Sequence, residues 1–153
     1  MKIPWAQYYM RIAQTVSERS SCIKRQVGAV IVVKERIVST GYNGTPQGIL
    51  DCNQGGCVRC NDSSIPSGTR LDECWCCHAE ENAIVSAARF GASISGGTLY
   101  TTLSPCIWCS KMAINSEIAL IRFAGNYPQT GAPLLKEAGI RIENISLLRD
   151  NKE

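Results

Sequence analysis

Nine cysteines and a single histidine stand in a chain of 153 residues, and their spacing constrains the fold more than any other feature. The count is odd and the residues fall in short clusters: Cys57-Val-Arg-Cys60, Cys74-Trp-Cys76-Cys77 and Cys106-Ile-Trp-Cys109. A disulfide framework needs pairs and an oxidising compartment, whereas two-residue spacing lets both sulfurs converge on one tetrahedral ion. Metal ligation is therefore the expected use. No apolar leader follows Met1-Lys-Ile-Pro-Trp5, and no uninterrupted apolar run has the length of a bilayer span, so a soluble cytoplasmic protein without membrane contact is expected.

The only histidine opens His78-Ala79-Glu80, and Pro105-Cys106-Ile107-Trp108-Cys109 begins twenty-five residues beyond Glu80. Both segments sit where a helix is expected to start. There the free N–H groups and the positive end of the helix dipole favour thiolate, the form that binds metal. His78, Cys106 and Cys109 supply three ligands for Zn2+, which leaves a fourth position to water, the arrangement of a catalytic rather than a structural ion. Two thiolates offset the charge of the ion, so it acidifies water less than an all-histidine site would, and a base close by becomes necessary. Glu80, two residues from a ligand, is the candidate general acid and base.

Around these residues the chain alternates in a readable way. Trp5, Tyr8, Tyr9, Ile12, Ala13 and Val16 recur at helical spacing, predicting an amphipathic helix that ends near Ser20. Gln26–Val33 and Ile37–Thr40 are β-branched runs around a Lys34-Glu35-Arg36 turn, hence a hairpin. Then follow a helix over His78–Phe90, a strand over Gly97–Thr102, a helix over Pro105–Asn115, a strand over Ile118–Phe123, a helix over Ala132–Ala138 and a strand over Ile140–Leu148. The pattern predicts one α/β domain over 1–153, with helices on both faces of a central mixed sheet. Net charge of +3 and 7% aromatics give no sign of a nucleic-acid surface, which needs a basic face and stacking side chains. The segment from Gly41 to Cys77 has no periodicity, and a loop that long in a small domain needs a clamp.

His78-x-Glu80 followed by Pro105-Cys106-x-x-Cys109 resembles the signature of zinc nucleobase deaminases. Gln26-Val-Gly-Ala-Val-Ile-Val32, Gly41-Tyr-Asn-Gly-Thr-Pro46 and His78-Ala-Glu-Glu-Asn-Ala-Ile84 narrow it: from about Tyr8 to Leu147 the chain is similar to deoxycytidylate deaminases, including their late-competence relatives. That resemblance implies the cytidine deaminase three-layer α/β/α sandwich and hydrolytic deamination of dCMP to dUMP and ammonia by zinc-activated hydroxide, in pyrimidine nucleotide metabolism. It implies that Asn43 bonds the deoxyribose, the Ala79 backbone N–H bonds the base carbonyl, Tyr127 lines the nucleotide pocket, and Arg89, with Arg25 as a second candidate, senses the 5′-phosphate. Many such enzymes are hexamers that dCTP activates and dTTP inhibits, and Mg2+ can accompany a nucleotide effector. Three alternatives stay open beside this reading: a dCTP or modified-dCMP deaminase, a tRNA or other nucleic-acid deaminase, and a non-enzymatic zinc module.

The cysteines outside the catalytic motif supply the clamp that the insertion at about 44–77 needs. Cys57 and Cys60 have the spacing of a zinc knuckle, with Gly55-Gly56 ahead of them allowing a tight turn. Cys74 and Cys76, two apart in an extended segment, point to one side, so Cys57, Cys60, Cys74 and Cys76 are the expected ligands of a structural Zn2+. By resemblance some relatives place a second zinc on residues matching Cys22, Cys52 and Cys76, so Cys22 and Cys52 are substitute ligands or ligands of a further ion. Cys77, next to the catalytic ligands, is the best candidate for a plain buried thiol.

Overall fold

The computed structural model describes residues 1–127 and 131–145. Their elements are helix α1 (Trp5–Ser17), strands β1 (Gly28–Val33) and β2 (Arg36–Tyr42), helix α2 (Val58–Asn61), α3 (Ala79–Arg89), β3 (Thr98–Thr101), α4 (Ile107–Asn115), β4 (Leu120–Phe123), α5 (Ala132–Glu137) and β5 (Arg141–Asn144). Among the described residues the strands form one sheet in the order β2-β1-β3-β4-β5. β1 runs antiparallel to β2 and β3, whereas β3, β4 and β5 are parallel, so the expected mixed sheet is present.

β1 lies inside the sheet, and its alternating side chains feed two cores. Val30 and Val32 meet Tyr9, Met10 and Ala13 of α1 on one face. Ala29 and Ile31 meet Ala79, Ala83 and Ala87 of α3, Ala113 of α4 and Leu135 of α5 on the other. These are the three layers of an α/β/α sandwich. Burying Val30, Ile31, Leu99, Ile121 and Leu135, each fully covered, stabilises by about 1.5–3 kcal/mol per side chain before the entropy of ordering is subtracted.

The small residues of α3 let it lie close on β2. A Cβ on Gly41 would stand 2.2 Å from the Ala79 carbonyl oxygen and 2.4 Å from the Ala83 nitrogen, so only glycine allows this approach. Ser39 adds a hydroxyl that donates to the Ala83 carbonyl at 2.5 Å. Together these fix the N-terminus of α3, which carries His78 at its cap.

Several boundaries differ from expectation. α1 stops at Ser17 and not near Ser20, and the hairpin turn is Lys34-Glu35, both left-handed (φ 49° and 61°), with Arg36 already in β2. Two successive positive φ values give the turn a twist that matches the strands it joins. β2 continues through Gly41 and Tyr42, into the segment expected to be loop. The insertion is not structureless: it holds α2 and single 3-10 turns at Cys52–Gln54 and Leu71–Glu73. The expected last strand reached Leu148, and residues 146–148 lie outside the described residues. Among the described residues no helix is long and apolar enough to cross a membrane.

Candidate active site and metal centres

α3 and α4 both begin where β3 ends, and their first turns converge. His78 is the N-cap of α3 and Cys106 the N-cap of α4, one position outside the helices where both were expected to lie within the first turn. The Glu81 carboxylate accepts from the His78 backbone N–H at 3.0 Å, and the Cys106 sulfur accepts from the Cys109 N–H at 3.5 Å. Each cap is thereby held by the turn it starts.

His78 Nδ1 lies 3.2 Å from Cys106 Sγ and 3.4 Å from Cys109 Sγ. Ligands at ordinary zinc bond lengths in a tetrahedron stand about 3.6 Å apart, so the triad is set for an ion with little adjustment. The donor chemistry agrees. Hydrogen bonding to Cys109 and His78 pulls the Cys106 thiol well below its usual range, and in turn the Cys109 thiol is pushed up by Cys106. His78 is raised to about 9, first by its bond to Cys106. A divalent ion between the two sulfurs would favour the ionised form of both.

Glu80 lies beside the triad, 4% exposed. Thr101, the last residue of β3, donates its hydroxyl to Glu80 Oε1 at 3.0 Å, and Cys109 Sγ lies 3.7 Å from Oε2. Burial raises the Glu80 carboxyl above the ordinary range, which suits a group that takes and returns a proton.

These groups stand at a cleft lined by Asn43, Ala79, Arg25 and Tyr127 as well as by His78, Cys106 and Glu80. The Arg25 guanidinium lies over the Tyr127 ring, 5.0 Å from its centroid, and the Tyr127 N–H donates to Ser104 Oγ at 2.7 Å. Asn43 is more committed than its expected sugar contact suggests: Oδ1 accepts from the Val27 N–H at 2.8 Å and Nδ2 donates to the Arg25 carbonyl at 2.7 Å. One amide proton and one lone pair remain for a ligand. Arg89 is not brought to the cleft. It is exposed at the far end of α3, over the Phe90 ring and 3.5 Å from Gln47 Oε1, because eleven residues of helix carry it some 16 Å from the cap at about 1.5 Å per residue.

The insertion cysteines also gather. Cys57, Cys60, Cys74 and Cys76 have all four sulfurs within 4.8 Å of one another, and so do Cys22, Cys52, Cys60 and Cys76. Gly55 is left-handed at φ 94°, and a Cβ on Gly56 would meet the Leu50 carbonyl oxygen at 1.6 Å, which explains the glycine pair before the knuckle. The Trp75 N–H donates to Cys57 Sγ at 3.3 Å. Cys77 belongs to neither group; it is half-buried and exchanges backbone hydrogen bonds with Gly44. Thr101, Ser104 and the cleft residues Arg59 and Leu103 were not singled out from sequence. Only Ser104 carried a signal, its place directly before the Pro105-Cys106 motif.

Comparison with known proteins follows the same lines. The model of the cytidine and deoxycytidylate deaminase zinc-binding region matches residues 3–124. The deoxycytidylate deaminase of Schizosaccharomyces pombe is 41% identical over 140 residues, covering 90% of this chain and 43% of that protein. That of Saccharomyces cerevisiae is 38% identical over 152 residues, covering 98% and 47%. The chain thus spans about half the length of these curated relatives. The crystal structure of dCMP deaminase from cyanophage S-TIM5 with dCMP and dUMP superposes with a TM-score of 0.79 at 31% identity, covering 94% of this chain and 98% of that one. With its zinc-binding region matched and its fold shared, the chain belongs to the cytidine and deoxycytidylate deaminase family.

Proposed function

We propose that this protein is a zinc-dependent deoxycytidylate deaminase that hydrolyses dCMP to dUMP and ammonia. The observation that carries the reading is the meeting, in one cleft, of a three-donor set for zinc and a buried carboxylate that touches it. The substrate is taken from the relatives, which are deoxycytidylate deaminases by name, and from the phage enzyme solved with dCMP and dUMP.

His78, Cys106 and Cys109 would hold the ion. Bound there, zinc supplies Lewis acidity that makes water a competent nucleophile at neutral pH. Water adds at C4 of the cytosine ring as Glu80 takes its proton and delivers it to N3. The carboxyl then carries the second proton to the amino nitrogen, the C4–N bond breaks, and ammonia leaves. Thr101 holds Oε1, which leaves Oε2 to carry the proton; Cys109, as a thiolate ligand, would no longer donate to that oxygen. Ala79 lines the cleft at the first position of α3, where a helix leaves its N–H donors unpaired, and its N–H would meet the base carbonyl. Asn43 holds the sugar, Tyr127 closes the pocket, and Arg25, rather than the distant Arg89, meets the phosphate.

The proposal extends to one deaminase domain over 1–153 with the cysteine insertion clamped by zinc, to a cytoplasmic homo-oligomer, hexameric as in the family, and to dCTP and dTTP, with Mg2+, as effectors. Chromatography of dCMP incubated with the zinc-loaded protein tests the activity. Stoichiometric dUMP and ammonia are expected, and no product from protein with full zinc content would reject it.

A further inference from the structure

The two cysteine groups of the insertion are not alternatives. They share Cys60 and Cys76, and each adds two sulfurs of its own: Cys22 and Cys52 on one side, Cys57 and Cys74 on the other. Within the groups, sulfurs stand 3.9 Å apart for Cys57 and Cys74, 3.6 Å for Cys60 and Cys74, 4.0 Å for Cys60 and Cys76, and 4.0 Å for Cys22 and Cys60. The edge of a tetrahedron of zinc–sulfur bonds is about 3.8 Å. All six together do not form one group at this spacing, so the sulfurs describe two tetrahedra joined along one edge and not a single crowded shell.

From this we infer that the insertion holds a binuclear zinc cluster in which six cysteines serve two ions and the Cys60 and Cys76 thiolates bridge them. Two four-coordinate ions require eight metal–sulfur bonds, and six sulfurs supply eight only if two of them each bond both ions. A single ion on Cys57, Cys60, Cys74 and Cys76 would leave Cys22 and Cys52 as thiols packed against the same two sulfurs, with Cys52 wholly buried.

A second observation points to the anionic charge of such a cluster. Arg59 is 5% exposed, and a buried guanidinium needs a counter-charge. Its partners among the described residues are the Thr69 and Pro66 carbonyls and, from Nη1 at 3.6 Å, Cys60 Sγ. Six thiolates on two zinc ions carry two negative charges in excess, and Arg59 reaches one of the two bridging sulfurs.

Each half has its own task. Cys57 and Cys74 tie the two arms of the insertion together. Cys22 and Cys52 fasten that unit to the linker between α1 and β1, which Lys24 also anchors by donating to the Asp62 and Ile65 carbonyls at 2.9 and 2.7 Å. Arg25 is the next residue of that linker after Lys24 and lines the cleft. The cluster half that contains Cys22 therefore positions the cation proposed to meet substrate phosphate.

Elemental analysis together with native mass spectrometry of the purified protein tests the cluster. Three zinc ions per chain are expected, two in the cluster and one at the triad, and the triad's share is read from the loss of one ion in H78A. Zinc X-ray absorption should show a zinc–zinc distance under about 4 Å, as two tetrahedra sharing sulfurs impose. The double variant C22S/C52S should keep two ions per chain, and C60S/C76S only that of the triad. A parent protein saturated with zinc that holds two ions, or three with no zinc–zinc vector, would overturn the binuclear cluster. None of these readouts depends on deamination, so the cluster can fail while the proposed activity stands, and the reverse.

Discussion

Thr101 donates its hydroxyl to the Glu80 carboxylate at 3.0 Å, with both side chains buried. The bond joins the end of β3 to the first turn of α3, so the sheet itself aims the proton carrier. A buried hydrogen bond to a charged group is worth about 1.5–3 kcal/mol. T101V should therefore lower kcat by roughly tenfold or more with zinc content unchanged, and T101S should restore most of the loss. Equal kcat in T101V and the parent would show that Glu80 needs no such support.

E80Q keeps size and polarity and removes the proton carrier. Turnover of dCMP is expected to fall about a hundredfold or more while the metal at His78, Cys106 and Cys109 stays bound. Zinc analysis and steady-state kinetics on the same preparation separate loss of chemistry from loss of metal; near-parental turnover would remove Glu80 from the mechanism.

Arg25 and Arg89 can be told apart by charge reversal. Because Arg25 lines the cleft and Arg89 stands outside it, R25E should depress kcat/KM on dCMP more than on deoxycytidine, whereas R89E should leave the ratio of the two nearly unchanged. The opposite ranking would return the phosphate to Arg89.

How much of this was legible in the sequence differs from element to element. α3 was readable because Ala83 and Ala87 face the sheet at helical spacing and Gly91 (φ 71°) stops the helix. The triad was readable because one histidine and a Cys-x-x-Cys leave few ways to build an open zinc site. The insertion was not, because its short turns are held by sulfur contacts and by Arg59 rather than by an apolar stripe, and such contacts leave no period to detect. The sharing of Cys60 and Cys76 between two groups likewise depends on where the linker bearing Cys22 passes, which only the fold decides. Thr101 gains its role from topology alone.

The close approach of α3 to β2 gives a structural prediction. G41A places a Cβ against the Ala79 carbonyl and should cost about 1–3 kcal/mol of stability, the range for overpacking. Because α3 carries His78, the variant should also release its triad zinc to a chelator faster than the parent. A melting temperature and release rate equal to the parent's would mean that α3 can withdraw without cost.

The most direct measurement is ammonia release from a panel of dCMP, deoxycytidine, dCTP, CMP and an adenosine-containing RNA hairpin, compared as kcat/KM at one zinc-saturated enzyme concentration. A zinc triad and Glu80 beside a cleft whose lining includes Lys24, Arg25 and Arg59 should favour dCMP over deoxycytidine, which lacks the phosphate, and should leave the RNA unreacted. Turnover of the RNA alone, with dCMP inert, would contradict the proposed function.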